Sequence, residues 1–460
     1  MKVAHFSDLH YAPDNLDEAD RCFAFAVGDA IGRKAEVAVI SGDSTDHRLD
    51  AHSPALHALA TQVHRLAVAM PVLMLQGTFS HEPPGTLDNF ALMGGAHHVH
   101  IADRVSQVAL IDGKFWASEG PVFSAESLRE IIRVKPEAVF TCLPTVNKNQ
   151  LAVSVGALAA GTELGEVLAA YLLAAGQVNA ELREAGIATI GVSHGTVNGC
   201  TTEHGVTMAG FDHEFSLSAL FEAQCSAFML GHIHKEQFWT RGGQRIAYPG
   251  SIGRFHYGEE GDKGYLLWGV YPEEADSLLI PTPSRQMISV EFDGPPDMKK
   301  LQEIADSAGD KFVRVRWQID EEHRQLVDRD AIAAMFAGAA GLKVEGRVLP
   351  VVRSRAQGIS LEATVEAKVV RWCEQTDIEP ALVVECLQLL EIGDAEAIAA
   401  RVLAGIDAAP IAPSLSLVGA TQTLVESEET AGKLAVGTPQ AMQPSEQTTL
   451  SWLTDDLFAA

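Results

Sequence analysis

Carboxylates and imidazoles recur along this chain, each directly behind an apolar run. Asp8-Leu9-His10 follows Val3 to Phe6, and Ser41-Gly42-Asp43 closes a second run. His81 and His194 stand alone, and Gly231-His232-Ile233-His234 closes a last run. Carboxylate oxygens and imidazole nitrogens are ligands for divalent cations. Two such ions about 3.5 to 4 Å apart can clamp the attacking and leaving oxygens of an in-line displacement at phosphorus. Asp8 and His10 have one residue between them, so an ideal strand carries both on one face. Asp43 follows a glycine that relieves crowding at a strand end, and it is the candidate to bridge both ions. His232 and His234, with the same spacing, can serve different ions, and His194 completes the set. A single Asp-x-His pair is usually a solvated loop; the ordered series, each member behind a strand, argues for a dinuclear site. His97, His98, His100, His204 and His213 lack that placement and are not counted as ligands, and Cys200 reads as a buried thiol.

Strand ends can converge only if the intervening chain returns each strand to the same sheet edge. Residues 2–7, 36–41 and 72–75 read as buried strands, and 16–33 and 54–69 have helical apolar spacing. This βαβα alternation predicts parallel strands covered by helices. Further strands are expected at 107–111, 138–141, 187–192 and 227–230, a long helix at 162–185, and turn-punctuated β structure over 236–292. A second unit is expected from Gly294-Pro295-Pro296: helix 297–308, strand 312–318, helix 328–337 and strand 346–352. Short helices follow to about 403. The first carries apolar residues at 361, 365, 369 and 372 on one face, Pro380 opens the second, and Asp394 caps the third. The last stretch, rich in Ala, Ser, Thr, Pro and Gln, has the composition of a disordered acidic tail.

The expected boundaries are therefore 1–292, 293–355, 356–404 and 405–460. Against 34 Lys plus Arg stand 61 Asp plus Glu, a formal net charge of -27. Bulk electrostatic gripping of nucleic acid is excluded by that balance, because phosphate neutralisation needs clustered cations. It leaves room for phosphate contacts made through bound metals and a basic partner. The cysteines are scattered without CxxC spacing, which argues against a zinc cluster. A disulfide framework is not expected at this size. Met1 leads straight into the first strand with no signal-peptide pattern. The apolar stretch 151–175 carries Glu163, Glu166 and several glycines and reads as a helix outside the membrane. A cytoplasmic chain with no membrane partner is the expectation.

The motif order resembles the calcineurin-like metallophosphoesterases. The segment Tyr248-Pro-Gly-Ser251-Ile-Gly-Arg254-Phe-His-Tyr-Gly258, running on to Lys263-Gly264, is similar to the SbcD-type nuclease subunits of the bacterial SbcCD complex. So are Met1 to His10 and Gly42-Asp43-Ser-Thr-Asp46. The resemblance covers about residues 1–290 by motif and continues to about 403 by arrangement. It implies an α/β fold: a sandwich of two β-sheets flanked by helices, a small α+β capping domain over the active-site groove, C-terminal helices and a tail. It implies Asp8, His10, Asp43, His194, His232 and His234 as ligands of two divalent ions, most often Mn²⁺. His81 would be the general acid for the leaving oxygen, an imidazole suiting this because its pKa lies near neutrality. The activity implied is an exo- and endonuclease acting on DNA in repair and recombination, as a homodimer docked through the C-terminal helices on an SbcC-like coiled-coil ATPase.

The family's Gly-Asn-His-Asp, whose Asn ligates the second metal, is here Gly77-Thr-Phe-Ser80-His81-Glu82. Aligning His81 puts Ser80 in the ligand's place; water, Thr78 or Glu82 are the alternatives, or Ser80 only shapes the turn. Ser251 and Arg254 are candidates to orient a phosphate, since the arginine fork matches phosphate oxygens. The alternative is a Gly-Ser turn with Arg254 paired to Glu259 or Glu260. Lys235, Arg241, Arg245, Arg254 and Lys263 form a candidate DNA-facing strip. Large apolar residues from Leu450 to Phe458 form either a short partner motif or an uncommitted terminus. Two rival functions remain: a phosphatase or small-molecule phosphodiesterase, favoured by the acidic charge, and a non-catalytic repair scaffold, favoured by the altered loop.

Overall fold

The computed structural model describes residues 1–93, 95–145, 164–202, 214–259, 261–350 and 358–408. The expected tail beyond 408, the terminal apolar motif, His204, His213 and the start of the 151–175 stretch lie outside the described residues. The chain divides into two units, Met1–Val352 and Arg353–Ala460.

Two large sheets carry the first unit. One has six strands in the order Ala275–Pro281, Gly264–Val270, Lys2–Phe6, Val37–Ile40, Val72–Leu75 and Val99–Ala102. Its last four strands are parallel and its first two pair antiparallel. The other has seven strands in the order Gln237–Arg241, Gln244–Tyr248, Ala227–Gly231, Ala188–His194, Ala138–Leu143, Ser106–Ile111 and Lys114–Ala117. Side chains alternate across a strand, and here both faces are covered. Val3, Val37, Val39, Leu73 and Leu75 meet Val108, Phe140, Ile190 and Met229 of the second sheet in one buried cluster. Ala4, Phe6, Ala38, Ile40 and Met74 instead pack on Phe23, Val27, Leu59 and Val63 of the helices Leu16–Gly32 and Pro54–Ala69. Phe228, Leu230 and Tyr248 meet Leu168, Tyr171 and Leu172 of the helix Leu164–Glu184. This four-layer α/β sandwich explains why the strands read as unbroken apolar runs. Each buried aliphatic or aromatic side chain contributes about 1.5 to 3 kcal/mol.

A three-stranded parallel sheet follows, formed by Met287–Asp293, Phe312–Asp320 and Gly341–Leu349. Helices Met298–Ala308 and Arg329–Met335 cover it over Val313, Val315, Trp317, Leu301 and Ile332. Asp297 and Asp328 cap those helices. Two details differ from the sequence reading. Met287–Asp293 pairs with the small sheet, because a period-two pattern fixes a strand's buried face but not its partner. The last strand starts at Gly341 rather than 346, where a side chain would overlap Tyr257 and Phe312.

The second unit contains helices Val365–Thr376, Pro380–Glu391 and Ala395–Ala408. Thr364 caps the first, proline stands in the first turn of the second, and Asp394 Oδ2 accepts from Ala397 N at 3.1 Å in the third. Among the described residues of this unit Cys373 is the buried hydrophobic one, while Leu361, Val365, Leu382, Leu390 and Leu403 are exposed. No helix among the described residues is long and apolar enough to cross a membrane.

Candidate metal centre

The chemistry-bearing residues sit where parallel strands of the two sheets end. Asp8 and His10 follow Lys2–Phe6, Asp43 follows Val37–Ile40, His194 ends its strand, and His232 and His234 follow Ala227–Gly231. Backbone bonds tie the first two turns together: Leu9 N and His10 N both donate to Asp43 O, at 2.9 and 3.0 Å. Asp8, His10, Asp43 and His232 hold φ of 51°, 46°, 50° and 102°. Left-handed backbone at non-glycine residues costs about 1 to 3 kcal/mol each and persists where the surroundings over-determine it. Glycine permits the closest approaches. A side chain at Gly42, itself at φ 104°, would overlap the His194 ring, and one at Gly231 would overlap Ser7, Ser41 and His194.

Asp8, His10 and His234 form one group of ligand atoms within 4.8 Å of one another. Glu259 Oε1 lies 2.8 Å from His234 Nδ1, which places a proton there and turns the Nε2 lone pair inward. On the far side of His10, Asp46 Oδ1 lies 3.2 Å from Nδ1, off the hydrogen-bond line. His10 Nε2 and His234 Nε2 then face each other at 3.0 Å, with Asp8 Oδ1 at 3.9 and 3.7 Å. With the His234 Nε2 lone pair turned inward, this contact is satisfied by a proton on His10 Nε2 or by a cation held between the two rings. Asp8 is steadied by Ser7 Oγ at 2.6 Å and by the His232 amide, 3.1 Å from both its oxygens.

Asp43, His194 and His232 form the second group. His194 Nδ1 donates to Ser41 O at 2.8 Å, which leaves Nε2 facing the site, 3.1 Å from Asp43 Oδ2 and 3.2 Å from Thr78 Oγ1. Burial pulls the His194 imidazole down, but Asp43 and Asp8 lift it to about 9. Burial raises the Asp43 carboxyl, and His194, His10 and His81 together hold it well below the usual carboxylate range. His232 is lowered to about 4 by burial and by His194. This corner attracts positive charge, and its donor set of carboxylate and imidazole fits a divalent ion.

His81 faces both groups. Its Nδ1 meets the Asp46 carbonyl, its Nε2 is 4.0 Å from Asp43 Oδ2, and its ring lies edge-on to His10 at 4.9 Å between centroids. Burial raises Glu82 to about 7, helped by Asp43. Glu82 grips Gly77 N at 2.6 Å and Ser44 N at 2.5 Å, fixing the loop from beneath rather than facing the ligands. Ser80 is exposed in that turn. Thr78 is the loop residue whose hydroxyl meets Asp43 and His194.

Ser251 and Arg254, expected at a phosphate, are buried and engaged within the protein. Ser251 Oγ donates to Gly253 O at 2.9 Å. Arg254 donates to the carbonyls of Glu259 at 3.0 Å, Gly261 at 2.5 Å and Arg285. Of the acids named in the alternative reading, Glu259 offers Arg254 its backbone oxygen, and Glu260 lies outside the described residues. Of the cationic strip, Lys263 is buried against Glu259, Arg241 pairs with Glu222, and Arg245 lies over Phe238. Sequence reasoning quoted Asp46 without a role, and gave Glu259 and Lys263 other roles, as an acid for Arg254 and as part of the cationic strip. Their signal was proximity to a motif; their partners, His10 and His234, are distant in sequence.

No family model matches the chain, and no curated protein matches it. Among solved structures it is similar to a dimetal phosphatase from Danio rerio at 14% identity, covering 61% of this chain and 98% of that one with a TM-score of 0.34. GAP50, described as the anchor in the inner membrane complex of Plasmodium, is 11% identical, covering 62% and 89% at a TM-score of 0.35. A conserved uncharacterized protein from Streptococcus pneumoniae TIGR4, described as a predicted phosphoesterase, is 11% identical, covering 61% and 97% at a TM-score of 0.22.

Proposed function

We propose that this chain is a two-metal phosphodiesterase, an SbcD-like nuclease that hydrolyses DNA with Mn²⁺ as its cofactor. The observation that carries the reading is the facing pair His10 Nε2 and His234 Nε2, 3.0 Å apart, beside a second ligand group around Asp43. When bound, two divalent ions supply charge neutralisation at the phosphoryl oxygens and a lowered water pKa. Asp8, His10 and His234 would hold one ion, His194 and His232 the other, with Asp43 shared. His81, half-buried at the mouth, would keep its Nδ1 proton on the Asp46 carbonyl and offer a second proton from Nε2 to the leaving oxygen.

The choice of DNA rests on the resemblance of Tyr248 to Gly264. The exposed Leu382, Leu390 and Leu403 support docking of the C-terminal helices on a coiled-coil ATPase, whose basic surface would offset the net charge of -27. Homodimer assembly belongs to the same reading. The deciding experiment compares single- and double-stranded DNA, nucleotides and phosphopeptides side by side with Mn²⁺, using Asp43→Asn as the control. Metal-dependent cleavage of DNA supports the proposal. Turnover of phosphopeptides or nucleotides with DNA untouched establishes the phosphatase or small-molecule reading, which the acidic charge favours.

A further inference from the structure

We propose that Thr78 supplies the neutral oxygen ligand of the cation group formed by Asp43, His194 and His232, and that this group is therefore the weaker of two. The inference rests on the two-metal reading and deepens it. Three protein side chains leave the coordination of a divalent ion incomplete, so a further oxygen is needed from the chain or from solvent. Thr78 Oγ1 occupies the right corner, 3.1 Å from Asp43 Oδ2 and 3.2 Å from His194 Nε2. Both contacts place the hydroxyl oxygen beside the carboxylate and the imidazole of this group, where an ion held by them would meet it.

The position is built. Thr78 N donates to Asp43 Oδ1 at 2.7 Å, and the preceding Gly77 N is held by the buried Glu82 carboxylate at 2.6 Å. Gln76 Nε2 holds the Glu82 carbonyl at 3.1 Å. The loop is thus clamped on both sides of Thr78. A hydroxyl oxygen is a poorer donor to a hard cation than an amide carbonyl. Nothing comparable weakens the other group, where His234 is backed by the Glu259 carboxylate, an arrangement that raises ligand basicity. Loading should therefore be stepwise, with the Asp8 group filled first.

Mn²⁺ titration of the full chain by calorimetry, with electron paramagnetic resonance to count bound ions, tests this. Wild type should bind two ions with separate affinities. Thr78→Val, nearly isosteric and with the backbone amide kept, should loosen only the weaker one, by about tenfold or more, and leave the tighter unchanged. Thr78→Ser retains the hydroxyl and should keep both affinities. Two ions bound by Thr78→Val as tightly as by wild type would overturn the assignment alone. Equal weakening of both ions also overturns it, since that marks a structural role. Fewer than two ions bound by wild type at saturation sinks the two-metal reading and this inference together.

Discussion

His234 Nδ1 and Glu259 Oε1 lie 2.8 Å apart, and the other oxygen of that carboxylate holds Lys263 Nζ at 2.8 Å. Lys263 Nζ returns to His234 O at 2.8 Å, closing a ring around one ligand. Burial works against the Glu259 charge, but Lys263 and His234 hold its carboxyl far below the usual range. Substituting Glu259→Gln removes the charge that polarises His234 and leaves a buried ammonium without its counter-ion. Loss of such an outer partner costs metal affinity about 10- to 100-fold, and breaking a buried pair costs about 3 to 5 kcal/mol. Mn²⁺ titration and urea denaturation of the variant should show both effects; unchanged affinity in a folded variant would remove Glu259 from the site.

His81 is proposed as the acid, yet with His10 and Asp46 it also forms a further set of possible ligand atoms. His81→Ala should lower kcat by about 10²- to 10⁴-fold while Mn²⁺ affinity stays within about twofold. Parallel loss of metal binding would recast His81 as a ligand.

The candidate ligand residues were legible because each stands close behind an apolar strand, in Asp-x-His, Gly-Asp, a lone His or Gly-His-x-His. Parallel strands send their carboxyl ends to one edge, so topology converts those local signals into one site. The residues that tune the site were less legible. Asp46 matters through His10, and Glu259 through His234, contacts that span 36 and 25 residues and leave no periodic trace. Thr78 shows the same limit: alignment on His81 favoured Ser80, but the loop's extra residues turn Ser80 outward and bring Thr78 in. The four-layer packing was implicit in the apolar runs, whereas which sheet Met287–Asp293 joins depended on partners far along the chain.

Arg254 illustrates how a motif arginine can serve the fold. With its guanidinium on three backbone carbonyls, Arg254→Lys cannot reproduce the fork. Stability should fall by about 1 to 3 kcal/mol as buried carbonyls lose donors, measured by denaturation. KM for the substrate should stay near the wild-type value. A KM rise of tenfold or more with unchanged stability would restore the phosphate-binding role.

Gly231 ends a strand directly against Ser7, Ser41 and His194. A methyl there would collide with Ser7 Oγ, Ser41 O and His194 Nδ1, groups that orient Asp8 and His194. Gly231→Ala should destabilise by about 1 to 3 kcal/mol, the usual cost of overpacking, and should loosen Mn²⁺ at both groups. Wild-type stability and affinity in this variant would show that the strand end can shift freely.

Metal ions should also stabilise the folded chain, because the ligands are gathered only when the strands are in place. The unfolded chain has Asp8 and His234 separated by 226 residues. An ion that binds only the folded state adds about 2.7 kcal/mol at a free concentration one hundred times its Kd. With two groups of unequal strength, Tm should rise in two stages as Mn²⁺ increases, the first at the lower concentration. Chelation with EDTA should reverse both stages. Thr78→Val should move the second stage to Mn²⁺ concentrations about tenfold or more higher while the first stays in place, and a single stage in wild type at every Mn²⁺ concentration would contradict stepwise loading. Because the measurement reads folding rather than turnover, it separates the metal sites from any question of substrate.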